Sequence, residues 1–203
     1  MLGRRSLYLH AGARVRGLKR DPVSYLRNPA GLSYEEVKSD YQEKIRQALR
    51  FKEHDIELSD PVLLQCFTHK SFAHGSRPYN EKLNLLGLQF LKLNASIHTV
   101  KGDGKVADFT QLGTLQSRGL ISHHTAADYI IRKQLDPLVF WKMNDVNDGP
   151  INGKSKILST VLNSVVGAIV LQQGPGKASQ FVFEDLLNPN NADSLLNIAS
   201  TKS

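Results

Sequence analysis

The feature of the sequence that most constrains the fold is the apolar stretch 83–97, which lies within LLQCFTHKSFAHGSRPYNEKLNLLGLQFLKLNASI at residues 63–97. Apolar side chains recur there at spacings of three and four residues, the period of an α-helix. The first stripe consists of Leu83, Leu86, Phe90, Leu93 and Ile97. A second stripe consists of Leu85, Leu88 and Leu91. Because a helix that is apolar around most of its circumference is stable only among other elements, we predict a central helix whose first stripe faces inward.

Gly87 interrupts this helix. Glycine in mid-helix costs about 1 kcal/mol relative to alanine, so its presence needs a compensating reason. We predict that another helix crosses closely at Gly87. A second long helix, predicted at residues 156–173, has the same design, with a thick apolar stripe and Gly167 at its middle.

Shorter helices are predicted around these two. Ser33 and Glu36 have capping-box spacing, so the first helix is expected to begin at Ser33 and to run to about Phe51. The next should open at Asp60, as an N-cap, with Pro61 at the first helical position. The others are predicted at 109–118, 122–133 and 177–187. Since almost no β-type alternation is present, the predicted fold class is all-α.

The charge is concentrated at the N-terminus. The chain has a net charge of +7, from 26 Lys and Arg against 19 Asp and Glu. Residues 1–20 contain six of these bases and no acid, which leaves a nearly neutral remainder. We therefore divide the chain into a basic N-terminal arm (1–32), a folded domain (33–188) and a polar C-terminal tail (189–203). No segment is predicted to span a membrane.

Three interpretations of the arm remain open. An Arg-rich, acid-free N-terminus with Ser and Leu is typical of mitochondrial transit peptides. It is equally typical of basic arms that order on contact with RNA, and a solubilising tail is the third interpretation. The first two are compatible, and we favour an RNA-binding arm. Its expected phosphate contacts are Arg4, Arg5, Arg14, Arg16, Lys19, Arg20 and Arg27.

Two motifs resemble those of a known family. THKSFAH followed by NEKLNLLGLQFL, and later KILSTVLNSVVGAIVLQQG, are similar in spacing and glycine placement to the signature segments of ribonuclease III endonuclease domains. The resemblance covers roughly residues 48–187 and implies that domain's helical fold. It implies no double-stranded-RNA-binding domain, because few residues follow position 187.

The resemblance departs from the family at the residues that carry its chemistry. Ribonuclease III cleaves RNA with magnesium ions held by two pairs of carboxylates, one pair on each signature helix. Here those positions hold Asn84, Leu88, Thr160 and Asn163. Since the charges that attract Mg²⁺ are missing, we expect no metal, no cofactor and no catalytic residue. We expect the neutral side chains to hydrogen-bond across the helix crossing instead.

The family's domain is a dimer, and the resemblance places Leu85 at the interface; the alternative is an ordinary core leucine. The expected function is that of an inactive, ribonuclease III-like structural protein of the mitochondrial large ribosomal subunit. Its expected partners are rRNA, other large-subunit ribosomal proteins and a second ribonuclease III-like subunit with which it forms a heterodimer.

Two other functions remain open. One is a divergent endoribonuclease that uses relocated acids, such as Glu81, Asp103 or Asp108. The other is an inactive partner that assists an active ribonuclease in mitochondrial RNA processing. The divergent endoribonuclease has no evident pairing of its acids in its favour, whereas the sequence does not separate the inactive partner from the ribosomal protein. The ribosomal function, in the mitochondrial matrix, is the leading hypothesis.

Overall fold

The fold is built on two long helices that cross in the middle of the domain. A computed structural model describes residues 26–100, 109–142 and 153–201. Its helices are α1 Ser39–Ala48, α2 Asp60–Cys66, α3 Glu81–Val100, α4 Leu115–Leu120, α5 His123–Arg132, α6 Lys154–Phe181 and α7 Leu195–Ser200. Within these ranges no strand is present, only the isolated bridges Arg27–Ser33 and Thr68–Phe140. The predicted all-α class is confirmed.

The close crossing predicted at Gly87 is confirmed, and the helix that crosses there is α6. A Cβ atom added to Gly87 would lie 1.7 Å from the carbonyl oxygen of Asn163. One added to Gly167 would lie 2.2 Å from the carbonyl oxygen of Leu83. Both distances are far below van der Waals contact, so only glycine at these two positions lets the helix backbones touch.

The buried face of α3 is not the one that the first stripe predicted. The buried residues are Leu83, Gly87, Leu91, Asn94 and Ala95. Leu93 and Ile97 are 58% and 39% exposed. The error arises because contact with α6 is possible only on the side of Gly87, and the stripe through Leu93 lies on another side.

Helix α6 forms the centre of the core. Its residues from Ile157 to Ile169 are buried, apart from the partly buried Thr160. The stretch Lys154–Leu186 is long and apolar enough to cross a membrane by length and composition, and 67% of its apolar 18-residue part is buried inside the protein. The central position of α6 therefore accounts for its apolar character. Gly174, with φ of +87°, interrupts the helix between the two segments that the sequence predicted separately.

The N-terminal boundary of the folded domain lies earlier than predicted. Helix α1 begins at Ser39, and Ser33 is a buried residue that bridges Arg27 instead of capping a helix. The ring of Tyr34 packs against Phe72 and Phe140, with centroids 5.4 and 5.1 Å apart. Because these long-range contacts outweigh a local capping box, residues 26–38 form part of the domain.

Two other helix starts differ from the prediction. Ser59 is the N-cap residue of α2, where Asp60 was predicted. Residues 109–114 form turns, so the helix predicted from 109 begins only at Leu115, where Thr114 is the N-cap residue and its side chain accepts a hydrogen bond from the Ser117 amide. The helix predicted from 122 is α5, which is capped by Ser122.

The C-terminal segment is not the frayed tail that its composition predicted. Helix α7 buries Leu195, Ile198 and Ala199. The chain reaches this position beyond a π-helical turn, Val182–Leu186, that contains the fully buried Asp185. A polar segment is thus held in place by a few apolar anchors and by one buried carboxylate.

Asp185 is satisfied by donors from three separate parts of the chain. The Arg50 Nη2 atom donates to Oδ1 at 2.7 Å, and the Asn191 Nδ2 atom donates to the same oxygen at 3.1 Å. The Tyr129 hydroxyl donates to Oδ2 at 2.5 Å. Burial, followed by the neighbouring carboxylate, raises the pKa of Tyr129 well above its usual value, so this hydroxyl stays a donor.

We predict that Gly87→Ala destabilises the domain by about 3 kcal/mol or more, because the new methyl group would push α3 away from α6 along the whole crossing. Gly176→Ala is the control: Gly176 lies within the other long helix, α6, and its Cβ would meet no atom within 4 Å. Urea unfolding measures both. A loss for Gly87→Ala no greater than that for Gly176→Ala would show that the backbones are not in contact.

Candidate functional site at the helix crossing

The four positions implied by the family lie beside the contact between α3 and α6. Asn84 precedes Gly87 on α3, and Asn163 precedes Gly167 on α6. The Asn163 Nδ2 atom donates to Asn84 Oδ1 at 3.0 Å, and Asn163 is only 3% exposed. The expected hydrogen bond across the crossing is therefore present for this pair.

Thr160 is held by a different residue. Its Oγ1 atom accepts a hydrogen bond from Asn80 Nδ2 at 3.1 Å and donates to the carbonyl oxygen of Ile157 at 2.7 Å. Asn80 is 1% exposed and also donates to the carbonyl oxygen of Cys66. Thr160 is thus hydrogen-bonded to Asn80, the residue just before α3. The sequence had instead suggested a hydrogen bond to Asn84 or Asn163.

Asn80 has no predicted role in the sequence analysis, although it is the first residue of the NEKLN motif. That position is the sequence feature that could have indicated its importance. Ser164, one turn after Thr160, also contacts it, since its Oγ donates to the carbonyl oxygen of Asn80 at 3.2 Å. Asn80 therefore connects the start of α3 to both α2 and α6, which fixes the register of the crossing.

The donor set at the crossing does not fit a magnesium ion. Leu88 is partly buried and offers no oxygen, while the other three positions offer only neutral amide or hydroxyl oxygens. Two of these, Asn84 Oδ1 and Thr160 Oγ1, already accept hydrogen bonds within the protein. Mg²⁺ prefers hard anionic oxygens in octahedral geometry, and nothing here supplies the charge.

Glu81 is the carboxylate of the signature motif that remains. It is exposed, and its Oε1 atom lies 2.9 Å from the Lys70 ammonium. In the ranges that the structure describes, no three His, Cys, Asp or Glu side chains are grouped closely enough to hold a metal. Asp103 and Asp108, the other relocated acids considered, lie outside those ranges.

Leu85 lies on the surface, where it is 62% exposed. The interpretation of Leu85 as a core leucine is therefore wrong. Its place on α3, on the side turned away from α6, is compatible with the interface that the family resemblance implies. Two further apolar residues of the same helix, Leu93 and Ile97, are exposed as well.

Of the residues expected to bind RNA, the structure describes only Arg27. It is exposed, and its Nη1 atom donates to the carbonyl oxygen of Gly31 at 3.0 Å. Its guanidinium is held at the surface of the folded domain, at the point where the arm joins it. The other expected contacts lie outside the described residues: Arg4, Arg5, Arg14, Arg16, Lys19 and Arg20.

Comparison with known proteins agrees with this fold. The family model for Ribonuclease-III-like proteins matches residues 59–190, and the chain belongs to that family. Two crystal structures of the nuclease domain of ribonuclease III from Campylobacter jejuni are similar, at 25% and 27% identity with TM-scores of 0.54 and 0.53. The first match covers 68% of this chain and 94% of the Campylobacter jejuni chain. The second covers 70% of this chain and 90% of the other. The first of them concerns flexibility in the region involved in dimer formation.

Two curated proteins are similar over rather more than three fifths of the chain. Ribonuclease 3 of Protochlamydia amoebophila is 32% identical over 131 residues, which are 62% of this chain and 52% of that protein. The large ribosomal subunit protein mL57 of Neurospora crassa is 26% identical over 147 residues, 64% of this chain and 55% of that protein. The chain thus spans about half the length of the curated relatives it matches, one an enzyme by name and the other a ribosomal protein.

We predict that Asn163→Asp destabilises the protein in a pH-dependent way. Burial favours the neutral carboxyl group, which raises its pKa in the folded state above the unfolded value. The variant should therefore be close to wild type in stability below about pH 4 and lose about 1–3 kcal/mol at pH 7. Thermal unfolding across this range checks the result, with Asn190→Asp, at an exposed position, as the control. Equal losses at both pH values would contradict it.

Proposed function

We propose that this protein is a non-catalytic, ribonuclease III-fold component of the mitochondrial large ribosomal subunit. In this proposal the folded domain docks onto other ribosomal components and the basic arm contacts rRNA. The observation that carries the proposal is the crossing itself: the fold and its glycine contact are retained, while every expected metal position holds a neutral side chain.

The absence of catalysis follows from the donor set. Hydrolysis by two metal ions needs carboxylates that hold the cations next to the scissile phosphate. The amides of Asn84 and Asn163 bond to each other, and the hydroxyl of Thr160 is used by Asn80. Replacing the acids also removes the mutual repulsion that a metal-free carboxylate cluster would suffer, so the former site contributes to stability.

The ribosomal assignment is supported by the similarity to mL57 of Neurospora crassa and by the charge distribution. Most of the net charge lies in the first twenty residues, while the folded body is nearly neutral. A short basic segment attached to a neutral body suits a protein held on RNA mainly by its arm. The Arg-rich start suits a mitochondrial location.

A divergent ribonuclease is not favoured. Glu81, the remaining acid of the motif, is paired with Lys70 and belongs to no group of three or more His, Cys, Asp or Glu side chains that could hold a metal among the described residues. Mg²⁺-dependent cleavage of double-stranded RNA by the pure protein, lost in Glu81→Gln, would overturn the proposal.

We expect the protein in a mitochondrial lysate to sediment with large ribosomal subunits at low salt and to be released as the salt concentration rises. Phosphate contacts by Arg and Lys make such binding salt-dependent. Replacing Arg4, Arg5, Arg14 and Arg16 by Gln should lower the salt concentration needed for release, while Lys44→Gln and Lys52→Gln on the domain surface serve as controls. Sedimentation away from large subunits at low salt would contradict the proposal.

Pairing with a second ribonuclease III-like subunit is proposed to use Leu85. We expect Leu85→Arg to abolish pairing with that subunit, because a charged side chain would enter an apolar contact. Thermal stability should change little, since Leu85 is 62% exposed in the isolated chain. Co-purification with the tagged partner measures pairing, with Leu171→Arg as a control at a similarly exposed leucine of α6. Unchanged pairing would remove Leu85 from the interface.

A further inference from the structure

The exposed side of α3 combines apolar and basic residues. We call it the outer face, and it consists of Lys82, Leu85, Gln89, Lys92, Leu93, Ser96 and Ile97. Contact with α6 fixes which side of the helix is outward, since the opposite side carries Gly87 and the buried Leu83 and Leu91. The outer face is therefore set by the same crossing that forms the core.

The apolar part of the outer face is large for one helix of a single protein chain. Leu85, Leu93 and Ile97 are 62%, 58% and 39% exposed. From residue 85 to residue 97 the helix rises about 18 Å. Exposed apolar residues that follow one another along a helix, rather than occurring singly, mark an interaction surface.

The segment that directly follows α3 is too polar to cover these residues. Residues 101–108 read KGDGKVAD and contain one large apolar side chain, Val106. A cover for three exposed side chains needs several apolar groups facing them, which this segment does not supply, and we therefore consider another chain.

The charged part of the outer face indicates which other chain. Lys82 and Lys92 are both exposed, and neither ammonium has an ion-pair partner among the described residues. The single carboxylate of α3, Glu81, is held by Lys70 at 2.9 Å. The outer face thus presents two positive charges and no free negative charge of its own helix.

This distribution disfavours a second copy of the chain. A symmetric dimer apposes the same patch from both subunits. Burying Leu85 and Leu93 of two copies would bring four lysines to one interface, without a free carboxylate on either helix to oppose them. Like charges at an interface suppress a partner, whereas opposite charges select one.

We propose that the outer face is built to reject self-pairing and to accept a different chain, whose facing helix has apolar residues opposite Leu85 and Leu93 and carboxylates opposite Lys82 and Lys92. This inference rests on the proposed pairing through Leu85 and adds the chemistry of the partner. Affinity comes from the apolar contact, and the choice of partner comes from the two lysines.

The test gives this chain the charges that the proposed partner would carry. The full-length double variant Lys82→Glu/Lys92→Glu is mixed with the wild-type protein, and their association is measured by analytical ultracentrifugation at low salt. We expect the mixture to form a one-to-one dimer at least tenfold more tightly than wild type alone, and high salt to remove most of this difference. The control is Lys44→Glu/Lys52→Glu, which makes the same charge change on a different surface.

A third variant ties the association to the apolar contact. Adding Leu93→Asp to the double variant should abolish the dimer with wild type, while its melting temperature should stay close to that of the double variant, because Leu93 is 58% exposed. A large fall in melting temperature would mean that the chain's own residues cover the face, and would overturn the proposal.

Two further results would overturn it. One is wild-type self-association as tight as that of the mixture, which would identify a second copy as the natural occupant. The other is equal association by the Lys44→Glu/Lys52→Glu control, which would show a general charge effect. The proposed function fails separately, by sedimentation of the wild-type protein away from large subunits, so the two proposals can fail independently.

Discussion

The structure depends on the backbone contact between α3 and α6. Gly87 and Gly167 remove the two Cβ atoms that would otherwise lie 1.7 and 2.2 Å from backbone carbonyl oxygens of the opposite helix. That contact determines which side of α3 is buried, and it brings Asn84 within hydrogen-bonding distance of Asn163. The core, the pairing of Asn84 with Asn163 and the outer face are all consequences of one close approach.

The crossing also shows how this fold is held together with neutral side chains at the positions that the family resemblance implies for metal ligands. Carboxylates at this depth are stable only when a cation compensates them. Uncharged side chains remove that requirement, and the bonds Asn163–Asn84 and Asn80–Thr160 hold the two helices in register without a metal. The contact between α3 and α6 therefore needs no metal ion to hold its polar side chains in place.

Much of the domain could be predicted from the sequence because its helices are long and strongly periodic. The all-α class, the two central helices, the crossing at Gly87 and the family were all correct. Errors occurred where a local signal competed with a distant contact. At Ser33, the packing of Tyr34 on Phe72 and Phe140 outweighs the local capping box, and no helix begins there. The polar C-terminal segment is ordered by hydrogen bonds to the buried Asp185.

The sequence by itself determined which residues stand at the positions where the family resemblance implies metal ligands, because residue identity at a fixed spacing from a glycine needs no coordinates. It could not determine which side of α3 faces the core, since both apolar stripes have helical spacing. Only the tertiary structure decided that, because the side of closest approach belongs to a pair of helices rather than to either one. The same contact left Leu85 and Leu93 exposed and placed Lys82 and Lys92 on the same exposed side of α3.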